Sequence, residues 1–413
     1  MIKARTQAAV TVREPRVLLT VNARVADRVL HGGGGDGKQR RTDFEALAAA
    51  LHADIMDWDT ADRSKLWRLL RRRLGFGPVA AALVFLRRRD HDVIWCFSEI
   101  EGLLLALLFK IFRVRRVLFF IGTETLWPKS LFLLRWLRVW THFTAILPTN
   151  SYQAIQLQKM ARVPDSKIVV LPYQVDCEYF CRSSPLESQT TSRYIVSVGL
   201  EGRDYSTLVD AVRGLDIELI IVAASHWSGR KNPLPANLPE NVTITSGTHT
   251  YAELRQLYTS AALAVVPLHE SPYQKGVTAL QEAMAMGLPV IVTRTTGQSD
   301  IVIDRRSVLR SDPDLETQGG FARLLTPDRP DLQKCNGFYV GVGDVAAMRR
   351  SIQYLLEQRN VAADLGAQAQ HFAREMLSLE LFVERAARLV AAACNGQSIH
   401  PGILASMTVG AED

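Results

Sequence analysis

Short apolar and β-branched runs alternate along this chain with segments of helical length. In the first half the runs are Arg16–Val21, Asp92–Ser98, Arg116–Gly122, Thr144–Thr149 and Lys167–Tyr173. A polar spacer, Cys181–Arg193, interrupts the pattern. It restarts with Tyr194–Gly199, Ile217–Ala224, Asn241–Thr245, Ala262–Leu268 and Leu288–Thr293. The runs are apolar at successive positions, as in strands buried on both faces of a parallel sheet. Two such series predict two α/β domains, residues 1–182 and 183–375, facing a cleft. Ligands in such sheets bind at the carboxyl ends of the strands. Residues 376–413 are expected to hold a C-terminal helix packing back on the first domain, and a tail.

Two stretches at those carboxyl ends carry chemistry. The first, residues 31–47, holds four consecutive glycines, then Gly37 and Lys38. Gly32 to Lys38 meets the phosphate-loop pattern as far as its lysine, but Gln39 lacks the hydroxyl that would coordinate Mg²⁺. The strand also ends too early for that motif, and the helix opens only at Thr42, where Thr42 and Glu45 form a capping-box pattern. A plain surface loop and a glycine loop handling phosphate in another fold both remain open from these residues alone. In the second stretch Lys275 and Gly276 precede a helix beginning near Val277. Its unpaired N–H groups and positive dipole end suit a diphosphate. Glu282 follows about a turn and a half later, and Thr295–Gln298 is expected to open another helix terminus.

Charge adds a second asymmetry. The 413 residues carry a net +7, yet residues 1–182 hold 29 Lys/Arg against 17 Asp/Glu and the remainder 20 against 25. The surplus concentrates on two helical patterns, Lys65–Phe76 and Lys129–Trp140, where Arg135 and Arg138 interleave with Leu134, Trp136 and Leu137. Core-packed helices with arginines reaching solvent give this pattern. So do helices attracted to an anionic membrane surface. No nucleic-acid motif accompanies the charge, so no nucleic acid is expected. Five scattered cysteines complete no zinc pattern, so no metal is expected. The first residues lack the apolar run of a signal peptide and no stretch has the length of a membrane span. The expectation is a cytoplasmic protein, peripheral at the inner face of the membrane if the basic helices touch lipid.

The segment Glu282-Ala283-Met284-Ala285-Met286-Gly287-Leu288-Pro289-Val290 resembles the donor-site signature of GT-B glycosyltransferases of the family 4 type (glycosyl transferases group 1), E-P-F-G-x-x-x-x-E-A-M-A-x-G-x-P-V. Val169–Phe180 is similar to the family's interdomain motif, and Ser197–Val212 to the strand, phosphate-binding loop and helix that open its donor domain. Thr250–Pro267 and Asn336–Ile352 stand where the family has further elements. The resemblance implies a GT-B fold of two Rossmann-like domains. It also implies metal-independent transfer of a sugar, with retention, from a nucleotide diphosphate sugar to a glycan, lipid-linked or small-molecule acceptor. No cofactor is implied.

Carried over by residue, Glu282 would accept hydrogen bonds from the ribose diol. Arg203 would grip the diphosphate with Lys275, Gly276, Val277, Gly297 and Gln298, and Gly33 and Gly34 would face it from the first domain. Three departures stand out. Gln274 occupies the place of the family's first glutamate, which gives it a catalytic position beside Arg203 and Glu282. No histidine follows the fourth strand, so Thr123 or Glu124 would contact sugar or acceptor. The connection 305–335 is unusually long, as lids and partner surfaces often are. Two alternatives follow from these departures: a non-catalytic GT-B subunit that binds sugar nucleotides, and a sugar-nucleotide epimerase.

Overall fold

The computed structural model describes residues 14–25, 39–182, 194–224, 235, 237–245, 249–304, 334–397 and 399. Gly33 and Gly34 lie outside the described residues, as does 305–333 of the long connection.

The first sheet comprises β1 (Val17–Thr20), β2 (Asp54–Met56), β3 (Val93–Cys96), β4 (Val117–Gly122) and β5 (Ala145–Pro148), all parallel in the order β2-β1-β3-β4-β5. The second comprises β6 (Tyr194–Val198), β7 (Glu218–Val222), β8 (Val242–Thr245), β9 (Leu263–Val266), β10 (Val290–Thr293) and β11 (Phe338–Val340). It too is parallel, ordered β11-β10-β9-β6-β7-β8. The order reverses between β1 and β3 in one sheet and between β6 and β9 in the other. Chains leaving those strand pairs diverge to opposite faces and open a crevice at the carboxyl ends.

Near-continuous burial of β1, β3, β5, β9 and β10 explains their unbroken apolar runs. One apolar cluster runs from Trp95 and Phe119 through Tyr179 and Phe180 to Met284, Phe372 and Phe382, so the two sheets share packing. A fully buried Leu or Phe contributes roughly 1.5–3 kcal/mol. Polar contacts fix the approach further. Arg41 donates to Asp176 at 2.6–3.1 Å and to Glu380 at 2.6 Å, tying the first sheet's domain to the connector and to the last helix, Leu379–Cys394. That helix lies against Asp43–Leu51, whose start carries the Thr42–Glu45 capping box. From the second domain the Asp300 carboxylate accepts from the Ser151 N–H at 2.6 Å and the Ser151 hydroxyl at 2.5 Å, at the start of the helix Ser151–Ala161.

Several sequence-based expectations need correction. Lys167–Tyr173 is not a strand; only Ile168 bridges, to Ile146. β2 and β11, each three residues long, gave no apolar run long enough to read. The helix in Lys129–Trp140 spans only Pro128–Arg135, because Arg138 takes a left-handed backbone (φ 47°) and a short 3₁₀ turn follows. Thr295–Gln298 closes on itself as a tight turn, and no helix follows it through Asp304. Among the described residues no helix is long and apolar enough to cross a membrane.

Candidate functional site

The loops leaving β6, β9 and β10 meet at the second switch point. Arg203 and Leu268 form an antiparallel bridge, and the His269 N–H donates to the Gly202 carbonyl at 3.0 Å, which stitches the first two loops together. Gly276 ends the β9 loop at φ +75° and caps the helix Val277–Ala285. A Cβ there would stand 2.7 Å from Val266 Cγ1 and 3.0 Å from Arg203 Nη1, so only glycine fits. The first intrahelical bond is donated by Leu280 to Gly276. The N–H groups of Val277, Thr278 and Ala279 therefore precede it and point out of the helix start, where the dipole is positive.

The Arg203 guanidinium is buried beside that helix start. Its Nε and Nη2 donate to the Val198 carbonyl at 3.2 and 2.8 Å, and Nη1 donates to Glu201 O at 3.1 Å. Burial lowers its pKa. Here Arg203 braces the β6 loop and lends its charge from beneath.

Glu282 is 3% exposed, and its carboxylate accepts from the Tyr258 hydroxyl at 3.1 Å. Burial pushes its pKa up to about 7, against the opposing pull of Arg40 and the Tyr258 hydrogen bond. Arg40 comes from the first domain and lies over the Tyr251 ring of the second at 4.4 Å. Neither Tyr258 nor Arg40 sits in the motif around Glu282. Tyr258 lies in the helix Tyr251–Ser260, where its spacing from Leu254 reads as ordinary core.

The β9 and β10 loops are pressed together. The Gly297 N–H donates to the Ser271 carbonyl at 2.8 Å, and a Cβ on Gly297 would stand 2.4 Å from the Tyr273 backbone. Beside this contact, Gln298 is 1% exposed and neither of its amide atoms has a hydrogen-bond partner among the described residues; Gln274 Oε1 is likewise buried and unpartnered among them. Such atoms destabilise a fold unless a ligand or ordered water completes them.

Lys275 crosses the cleft, donating to Glu124 at 2.7 Å and to Glu201 at 3.0 Å. Burial opposes its charge, but the two carboxylates outweigh that and raise its pKa. Glu124 also accepts from the Trp127 indole N–H at 2.9 Å. These residues, with Tyr273 and Glu270, line a pocket of ≈ 310 Å³ between the domains.

The wall formed by the first sheet is acidic. Thr123 donates to Glu99 at 3.3 Å, and burial together with the Glu124 charge raises the pKa of Glu99. Glu101, 1% exposed, accepts from Thr20 at 3.0 Å and is pushed by burial to about 8. Tyr173, half-buried beside Thr123, is raised by burial and by Glu99. Of this wall the sequence pointed to Thr123 and Glu124 only. Glu99 and Glu101 look in sequence like the ordinary acidic first turn of a helix.

Elsewhere, Asp176, Glu178 and Glu380 converge closely enough to ligate a cation, but the Arg41 guanidinium already bridges all three.

Residues 202–358 match the family described as glycosyl transferases group 1. No curated protein matches the chain. The fold is similar to sucrose-phosphate synthase from Thermosynechococcus elongatus, at 15% identity and TM-score 0.61 over 93% of this chain and 100% of that one. It is similar to Anabaena HepE, solved in complex with UDP-glucose, at 14% identity and TM-score 0.58 over 92% of this chain and 100% of that one. A glycosyltransferase from Rickettsia africae gives 13% identity and TM-score 0.59 over 93% and 100%. At such identities the likeness fixes the fold, and the family match covers Arg203, Gln274, Glu282 and Gln298. The chain thus has the fold of the GT-B glycosyltransferases, and its residues 202–358 match the family glycosyl transferases group 1.

Proposed function

We propose that the protein transfers a sugar from a nucleotide diphosphate sugar to an acceptor with retention at the anomeric carbon, the departing diphosphate being neutralised by the Gly276–Val277 helix start rather than by a divalent cation. The observation that carries this reading is the convergence of that helix start, the Arg203 charge, the Gln298 amide and Gln274 Oε1, these last without partners among the described residues, at one switch point. Preorganised N–H dipoles of this kind stabilise charge that develops on a leaving group. Glu282 binds the ribose diol, and Lys275 exchanges its carboxylate partners for the diphosphate when donor enters. UDP-glucose, present in the HepE complex, is the first donor to try.

The acceptor belongs to cell-surface glycan or lipid-linked saccharide assembly, and the first domain docks on an anionic membrane. Supporting this, the helix Lys65–Leu74 buries none of its residues and exposes Leu66 and Leu69 among its arginines. Phe132 and Trp136 (71% exposed) stand out of the basic segment after β4. Apolar tips among arginines suit a headgroup region. Co-sedimentation with phosphatidylglycerol vesicles but not phosphatidylcholine vesicles is the expected result.

The test is a panel of UDP-, GDP-, dTDP- and ADP-sugars. One base is expected to stabilise the protein thermally, and transfer with that donor is expected to give a product of the donor's anomeric configuration at full rate in chelator. An inverted product or chelator-abolished transfer refutes the mechanism. Thermal stabilisation without any release of nucleotide identifies an inert binding subunit instead. Interconversion of donor isomers without acceptor identifies an epimerase.

A further inference from the structure

We infer that the pocket between Trp127 and Lys275 is an acceptor subsite selective for charge, taking an uncharged or amine-bearing sugar ring and rejecting one that carries phosphate or carboxylate. The inference rests on the transferase reading above and adds the chemical class of acceptor.

Size and shape come first. The ≈ 310 Å³ volume falls at the lower end of the range for small-molecule sites, enough for about one sugar ring. Both domains contribute walls, and Lys275 stands directly before Gly276 and the helix start that faces the diphosphate. A ring in this pocket therefore adjoins the donor.

Two aromatic rings give it a platform. Trp127 and Tyr273 lie nearly parallel, 9° apart with centroids at 6.5 Å, one from each domain. The C–H faces of a sugar ring carry slight positive charge and pack well on the negative face of an indole or phenol. Trp127 is 45% exposed, so its face is open to a ligand, and the hydrogen bond from its indole to Glu124 fixes its orientation.

Charge then selects. Glu124, Glu201 and Glu270 line the pocket, and among the described residues Lys275 is its only lysine or arginine. In the donor-free protein that lysine is ion-paired to Glu124 and Glu201, and in the donor complex proposed above it turns to the diphosphate and leaves both carboxylates facing the pocket. His269, the other basic lining group, stands 3.9 Å from the Asp204 carboxylate. Glu99 adds negative charge behind Thr123. Carboxylates accept hydrogen bonds from hydroxyl and ammonium groups, whereas a phosphate placed among them is repelled and finds few donors. At separations of a few ångströms and an effective dielectric near 20, one such repulsion weakens binding by about tenfold or more. Although one basic segment begins directly after Trp127, none of its lysines or arginines is among the described residues that line the pocket. A phosphate further along a lipid-linked acceptor would sit outside it.

The experiment uses the full chain saturated with whichever of UDP, GDP, dTDP or ADP stabilises it. Ligand-observed NMR then compares methyl glucoside, glucosamine, glucose 6-phosphate and glucuronate. The first two are expected to bind at least about tenfold more tightly than the last two. Trp127→Ala should remove sugar binding. Glu124→Gln should improve the two anionic sugars severalfold relative to methyl glucoside. Thermal stabilisation by the nucleotide, measured on each variant, reports whether the donor site and the fold are intact. Equal or tighter binding of the anionic sugars overturns the inference, as does the absence of any sugar binding while nucleotide binds. An unchanged preference in Glu124→Gln also overturns it. If no nucleotide binds the wild type, the transferase reading falls first and this one with it.

Discussion

The two walls of the cleft are both strand ends of parallel sheets at a switch point, yet only the second brings a helix start and a buried arginine to it. The first-sheet wall offers Glu124, with Glu99 and Glu101 behind it; burial raises the pKa of both, Glu101 to about 8, so Glu101 is largely protonated at neutral pH. The second-sheet wall offers N–H groups at a helix start, the buried Arg203 charge, and the Gln298 amide and Gln274 Oε1, which have no partner among the described residues, beside the Glu201 and Glu270 carboxylates. An anionic diphosphate is therefore better placed at the helix start than beside Glu124. On the reading proposed above, the helix start takes the charged donor and the carboxylates around the pocket take an uncharged acceptor. Lys275 joins the walls and offsets part of the difference.

The largest break in this comparison is Gly276→Val. It forces a β-branched residue to φ +75° and drives Cβ into Val266. Strain and overpacking together cost about 2–5 kcal/mol and displace the helix start. Transfer activity is expected to fall below detection and the melting temperature to drop by several degrees, measured side by side.

Next, Arg41→Met tests whether the walls are held in register by the Arg41–Asp176–Glu380 contacts. Asp176 is almost fully buried, and the arginine's hydrogen bonds and charge outweigh burial to hold its pKa below the ordinary carboxylate value. Breaking the pair is expected to cost about 1–3 kcal/mol, discounted because Arg41 is 40% exposed. With a depressed folded-state pKa, this stabilisation is fully present above the ordinary carboxylate pKa and is lost as pH falls through the folded value. Denaturant titrations of wild type and variant should therefore differ at pH 7 and converge in acid.

Gln298→Leu should separate stability from binding. Removing two unpartnered buried amide atoms is expected to stabilise the donor-free protein by about 1 kcal/mol. The same change should shrink the thermal shift produced by donor. A destabilised donor-free variant would show that Gln298 already has a structural partner.

The smallest effect is in pH. With Glu282 raised to about 7 when donor is absent, the carboxylate proposed to accept the ribose hydroxyls is only partly ionised at neutral pH. Donor dissociation constants are expected to fall severalfold between pH 6 and 8 in the wild type, and to stay flat in Glu282→Gln.

The second wall was largely legible in the sequence because its parts are consecutive: Lys275, Gly276, Val277 and Glu282 share one loop and helix, and Gln298 follows the next strand. The first wall was not. Glu99 and Glu101 open one helix, Thr123 follows another strand and Tyr173 belongs to the connector, so only parallel pairing of β3 with β4 brings them together. Tyr258 and Arg40 escaped for the same reason, since each reaches Glu282 from a separate element. β2 and β11 are sheet edges of three residues, too short for periodicity to register.

Titration calorimetry of wild type and Glu282→Ala with inorganic pyrophosphate, and with the nucleoside mono- and diphosphates of the preferred base, tests the central claim most directly. The second-sheet wall should bind diphosphate well above monophosphate without added cation. Glu282→Ala should lose about tenfold or more on nucleotides, a charge-assisted hydrogen bond contributing roughly 1.5–3 kcal/mol, while pyrophosphate is unaffected. Equal affinity for mono- and diphosphate, or equal nucleotide binding by the variant, would contradict the account.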